Sequence, residues 1–274
     1  LETLFAHTYL LLFGKLSVGG LLTLAVPTFH KMERGFYKSS AAIYLGSAVI
    51  MALGDSYLWW SGTAAGVISP TATVVWLGFT ALFIGYFVTL FVELPFLRAR
   101  LFPITVFVGL LALALTGWQY APASAGILTG IPYVVVPLAG ALALGGAASG
   151  MLLGHWYLID LELDLDPLLR MYTFCKTTLR AEIVIVAVSA TVLWGTDALV
   201  PQGAFEAAFG AQAILVLARV AAWTLGLVLM VLIAKTLEIP QTMAATGLFY
   251  IHATTIAVGE IVGHWLLFRT GIPL

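Results

Sequence analysis

Eight times along this chain a long stretch passes with scarcely a charge, and a helix of about 20 such residues is what the hydrocarbon of a bilayer requires. The stretches fall at about 5–28, 40–60, 71–93, 97–119, 131–158, 171–195, 210–235 and 242–268. Turn-forming residues punctuate them: Gly62 to Pro70, Pro122 to Gly130, Asp166-Pro167, Pro201 to Gly203, and Pro240. Lipid offers the backbone no hydrogen bonds, so a segment that spans must satisfy its own polar groups as a helix. The expected architecture is all-α, a polytopic bundle of about eight spans. No connection is long enough to form a second domain, so residues 1–274 read as one membrane domain. No short hydrophobic stretch with a small-residue cleavage site precedes the first span, so no removable leader is expected.

Composition agrees with this reading. The chain is 61% hydrophobic and 9% charged, whereas soluble domains are about 45–50% apolar and about 25% charged. A net charge of −1 provides no field for nucleic acid. The single cysteine, Cys175, excludes an internal disulfide and any cysteine-held iron–sulfur or zinc cluster.

Basic residues gather on one side of the spans. Lys31, Arg34, Lys38, Arg98, Arg100, Arg170, Lys176 and Lys235 all fall at one end of the spans, while loops 61–70, 120–130 and 196–209 contain no lysine or arginine. The positive-inside bias makes the basic side cytoplasmic, with both termini outside. Arg269, in the tail, is the exception. The expected location is a prokaryotic inner membrane.

Ionisable groups inside spans are expensive and therefore candidates for function. They are Lys15, Asp55, Arg180, Glu182, Arg219 and Glu260. The structural reading is that they pair, with Lys15 or Arg219 against Asp55 or Glu260. The functional reading gives Glu260, Asp55, Lys15 and Arg219 to quinone contact or proton handling. Glu260 and His264 lie four residues apart on one helical face, which suits accepting protons from a quinol.

Histidines carry the second candidate chemistry. A b-type haem between helices needs two imidazoles at one depth, with small residues nearby. Depth pairs His7 with His264 on the outer side and His30 with His155 on the inner side, so these four are the candidate haem-iron ligands. His252 and His264 cannot serve stacked haems from one face, because twelve residues turn a helix by roughly 120° beyond whole turns. Gly150-Met151-Leu152-Leu153-Gly154-His155-Trp156 and Gly259-Glu260-Ile261-Val262-Gly263-His264-Trp265 share the pattern G-x-x-x-G-H-W. Such a stripe admits either a cofactor or a close-packed second helix. The loop from Asp160 to Asp166 alternates acid and leucine. If extended, it sets its acids along one edge, either as a solvated turn or as a dock for a basic partner.

The last span carries a family resemblance. Gly259 to Phe268, followed by Gly271-Ile272-Pro273, resembles the closing segment of dimethyl-sulfoxide-reductase-type membrane anchors and their polysulfide-reductase-like relatives. That resemblance implies an anchor that reacts with quinone and exchanges electrons with an iron–sulfur or cytochrome partner subunit. Arginine is usual in that pattern where this chain has His264, a departure that leaves room for haem b. The leading expectation is thus a membrane subunit of a respiratory electron-transfer complex using quinone, haem b or both. The alternative is a secondary transporter or channel, with Pro103 and Pro137 interrupting spans four and five. No paired-aspartate motif or His-x-x-x-His box points to an enzyme acting on lipid.

Overall fold

A computed structural model describes residues 2–27, 29, 32–62, 69–92, 94–123, 125–160, 163–196, 203–239 and 241–274. Among these residues every regular element is a helix. They are α1 (Glu2–Thr23), α2 (Arg34–Trp60), α3 (Pro70–Thr89), α4 (Pro95–Trp118), α5 (Ile127–Ile159), α6 (Asp166–Gly195), α7 (Ala204–Phe209), α8 (Ala213–Glu238) and α9 (Thr242–Thr270). All but α7 are long and apolar enough to cross a membrane, which gives the expected eight spans.

Local sequence explains where the helices start and stop. Pro70 and Pro95 open α3 and α4 in the first turn, where a missing N–H loses no helical bond. Gly271 closes α9 at φ 76°, a left-handed conformation, and its N–H donates to Leu267 O at 2.7 Å. Helix α1 ends at Thr23, short of the expected boundary, and passes through tightened turns at Leu24 to Val26 before Pro27.

The prolines do not interrupt their helices. α4 runs through Pro103, and α5 runs through Pro132 and Pro137. Pro137 frees the carbonyl of Tyr133 one turn earlier, and Gly117 of α4 packs against that carbonyl so closely that a Cβ there would lie 2.1 Å from it. A neighbouring helix thus covers the backbone group that the proline releases.

Helix α5 is the centre of the bundle, with α1, α2, α4, α6 and α9 packed around it. Its small residues make that possible. A Cβ on Gly19 of α1 would fall 1.8 Å from Ala141 O, and one on Gly145 would fall 2.2 Å from the carbonyl carbon of Gly19. The two backbones touch, and nothing larger than hydrogen fits between them. Nearby, Ser149 Oγ bonds both Thr23 Oγ1 and Tyr44 OH at 2.5 Å, joining α5 to α1 and α2.

Two connections carry more structure than their sequence promised. Segment 196–209 reads as a plain loop, yet it contains α7, which starts after Gly203 at φ 75°. Phe205 of α7 lies 4.9 Å from the Trp194 ring at the end of α6. In the acid–leucine loop, Asp166 is already the first residue of α6 and binds Arg170 Nε at 2.9 Å, while Tyr157 OH donates to Asp164 O. The described part of that loop leads into the first turn of α6, with Asp166 N–H donating to Asp164 Oδ1 at 3.3 Å; Leu161 and Glu162 lie outside the described residues.

Candidate functional site

Four spans each bring one charged side chain to the bundle interior. Lys15 comes from α1, Glu182 from α6, Arg219 from α8 and Glu260 from α9. Lys15 Nζ meets Glu260 Oε2 at 2.5 Å. Arg219 Nη2 meets Glu260 Oε1 at 2.8 Å and Glu182 Oε1 at 2.5 Å. Trp223, one turn after Arg219, donates Nε1–H to the same Glu182 oxygen at 3.2 Å, and its ring lies 4.7 Å from the guanidinium. Lys15, Glu182, Arg219 and Glu260 expose between 0% and 4% of their surface.

Two cations and two carboxylates leave the cluster formally neutral, which is the condition for keeping charges inside a low-dielectric bundle. The glycines decide where they sit. A Cβ on Gly140 of α5 would lie 2.5 Å from Glu260 Oε2, so α5 offers bare backbone to that carboxylate. A Cβ on Gly259 would lie 3.1 Å from both Arg219 Nη1 and Ala222 Cβ.

His264 stands one turn beyond Glu260. Its Nδ1 bonds the carbonyl of Thr8 at 3.1 Å, and because a carbonyl only accepts, Nδ1 carries the proton. Its Nε2 has no hydrogen-bond partner and lies 3.8 Å from Glu260 Oε2. An imidazolium here would bury a second N–H without an acceptor, so we assign the neutral ring with Nε2 as its free acceptor. Glu182 Oε2 and Arg219 Nε are likewise buried without a partner. The arrangement is a formally neutral frame of ion pairs in which His264 Nε2, Glu182 Oε2 and Arg219 Nε are buried without hydrogen-bond partners.

The sequence candidates divide three ways. Lys15, Arg219 and Glu260 come together. Asp55 does not join them; it takes a hydrogen bond from Thr73 Oγ1 at 2.5 Å between α2 and α3. Arg180 is exposed and stands outside the cluster. Glu182, counted among the in-span ionisable groups, is the cluster member to which the sequence reading gave no quinone or proton role. A charge count carried no signal for it, since Asp55 and Glu260 already balanced Lys15 and Arg219.

The histidine pairs hold different partners. His7 Nδ1 bonds Tyr120 OH at 3.1 Å and its ring lies 5.9 Å from Phe268, whereas His264 faces Glu260 and the backbone of α1. His155 Nδ1 pairs with Tyr250 OH at 3.1 Å. His30 lies outside the described residues. The glycine stripes are filled: Gly150 by Phe249, Gly154 by Thr246, Gly259 by Arg219 and Ala222, and Gly263 by Arg219 and the Leu274 carbonyl. A porphyrin needs those surfaces clear, so the described residues beside His155 and His264 do not fit haem in this packing. His252 is buried with Nδ1 unpartnered, close to Gly226.

Along the lipid face, α8 and α9 form an apolar groove of about 590 Å³, lined by Ala218, Ala221, Ala222, Tyr250, Thr254 and Val258 among others. Ala222 is a wall shared with the buried cluster through Gly259. No family model matches the chain, and neither a curated protein nor a solved structure shows significant similarity to it.

Proposed function

We propose that this chain is the membrane subunit of a respiratory electron-transfer complex, reacting with quinone at the groove between α8 and α9. The observation that supports this reading is the thin wall at Gly259. One glycine and Ala222 separate a lipid-facing groove from the Arg219–Glu260 ion pair. A substrate that lives in the bilayer enters such a groove sideways, and about 590 Å³ falls within the usual range for a ligand site.

A quinol bound there supplies two electrons and two protons. Tyr250, Thr254 and Thr255 are the hydroxyl-bearing residues among those lining the groove, and the head is placed at its Val258 end, against the Ala222–Gly259 wall. His264 Nε2 is the open acceptor for one of the two protons, with the Glu260 carboxylate 3.8 Å away as its counter-charge, and the second proton leaves to the outer aqueous phase, where the first also exits. Lys15 and Arg219 hold Glu260 in place as that proton arrives and leaves. With one cysteine and no cluster ligands of its own, the chain passes electrons to a partner subunit that carries iron–sulfur or cytochrome centres.

The test uses a photoreactive quinone analogue in native membranes. Label is expected on peptides from α8 and α9, and Ala221→Trp, which fills the groove from its exposed side, is expected to remove it and raise the KM for quinol at least tenfold. Absence of specific label on those helices would overturn the reading. Solute uptake by the chain alone in liposomes would replace it with transport.

A further inference from the structure

A second groove lies between α6 and α8 toward the basic end of the bundle, with a volume of about 730 Å³. Its charged lining is Lys176, Arg180, Lys235 and Glu238, two positive charges in excess. Lys176 Nζ lies over the Tyr172 ring at 5.1 Å, and among the described residues no carboxylate comes within ion-pairing distance of any of the three cations. The deeper walls are apolar: Ile183 and Val184 from α6, Leu227 and Val231 from α8.

Depth makes this unusual. Lysines near helix ends reach the interface with flexible stems. Arg180 stands further in, about 12 Å along α6 from Tyr172 at the mouth. A guanidinium exposed at that depth needs an anion brought to it, since leaving it bare in hydrocarbon is costly. Three cations at one end and aliphatic walls at the other match the two halves of one molecule type, an anionic head with acyl chains. Basic clefts between spans are known to hold such heads.

We propose that this groove is a binding site for an anionic phospholipid of the surrounding bilayer. The phosphate sits among Lys176, Arg180 and Lys235, and the chains lie along Ile183, Val184, Leu227 and Val231. Glu238 at the rim favours a head that carries a hydrogen-bond donor beside its phosphate.

The experiment places the purified complex in nanodiscs of phosphatidylcholine with a minor fraction of phosphatidylglycerol and counts retained lipids by native mass spectrometry. Phosphatidylglycerol is expected to be retained selectively, and free inorganic phosphate is expected not to displace it. Each charge-removing change, Lys176→Gln, Arg180→Gln or Lys235→Gln, is expected to weaken retention about fivefold, the ratio equivalent to about 1 kcal/mol per basic residue. Arg98→Gln, a basic residue outside this groove, is expected to leave retention unchanged. Equal retention of phosphatidylcholine by the unaltered protein would overturn the proposal without reliance on any variant. Displacement by inorganic phosphate would show a free-anion site instead, and undiminished retention in all three variants would place the lipid elsewhere.

Discussion

Lys15 and Glu260 meet at 2.5 Å although 245 positions separate them in the chain. The contact ties the first span to the last, and Arg219 shares the same carboxylate from the other side. Glu260 is therefore the hub of the cluster, and the cluster's stability depends on its charge more than on any single cation.

Removing both partners of this pair should cost less than the two single losses together. Lys15→Met leaves Glu260 with Arg219 alone, and breaking a buried pair typically costs about 3–5 kcal/mol. Lys15→Met combined with Glu260→Gln should lose less than the sum of the single changes, measured by unfolding in mixed detergent micelles. Strict additivity would mean that the pair makes no energetic contact.

Helix contact at Gly19 makes a second case. Gly19→Ala drives a methyl into Ala141 O, so α1 and α5 must separate, and overpacking of this kind costs about 1–3 kcal/mol or more. Gly46→Ala in α2 meets nothing within 4 Å and should be neutral or slightly stabilising. Thermal melts that fail to rank the two variants in this order would contradict the packing.

The tautomer of His264 is directly observable. Nitrogen NMR of histidine-labelled protein should show a neutral ring with the proton on Nδ1 at neutral pH. A ring protonated on Nε2 alone would be incompatible with the bond to Thr8 O.

Asp55 depends on Thr73. Thr73→Val keeps the shape but removes the hydroxyl that donates to Oδ2, leaving a buried acceptor short of a partner at about 1–3 kcal/mol. The double change Thr73→Val with Asp55→Leu should recover part of that loss. Continued instability in the double variant would point to a role for Asp55 beyond this bond.

The spans were legible because twenty apolar residues have few alternatives to crossing a bilayer. That Lys15 or Arg219 would pair with Asp55 or Glu260 was legible as opposite charges needing one another, but which carboxylate they would take was not. What hydropathy could not give was rotation about each helix axis. Glu182 and Arg180 are two positions apart on α6, yet one faces the cluster and the other faces outward. The same gap explains the histidines, because matched depth for His7 and His264 carries no information about where their rings point. The glycine stripes were visible, but their occupants, Phe249, Thr246 and Arg219, come from helix pairings that only the assembled bundle defines. Helix α7 escaped because its six residues are too few for a periodic signal.

The order of synthesis gives the shared carboxylate a further meaning. Lys15 leaves the ribosome before Arg219 and Glu260 after both, so both cations enter the bilayer before their common anion exists. At about 5–20 residues per second, Lys15 precedes Glu260 by roughly 12–50 s. During that interval the early spans hold an unmatched charge, which favours keeping them beside the insertion machinery until α9 arrives and completes the set.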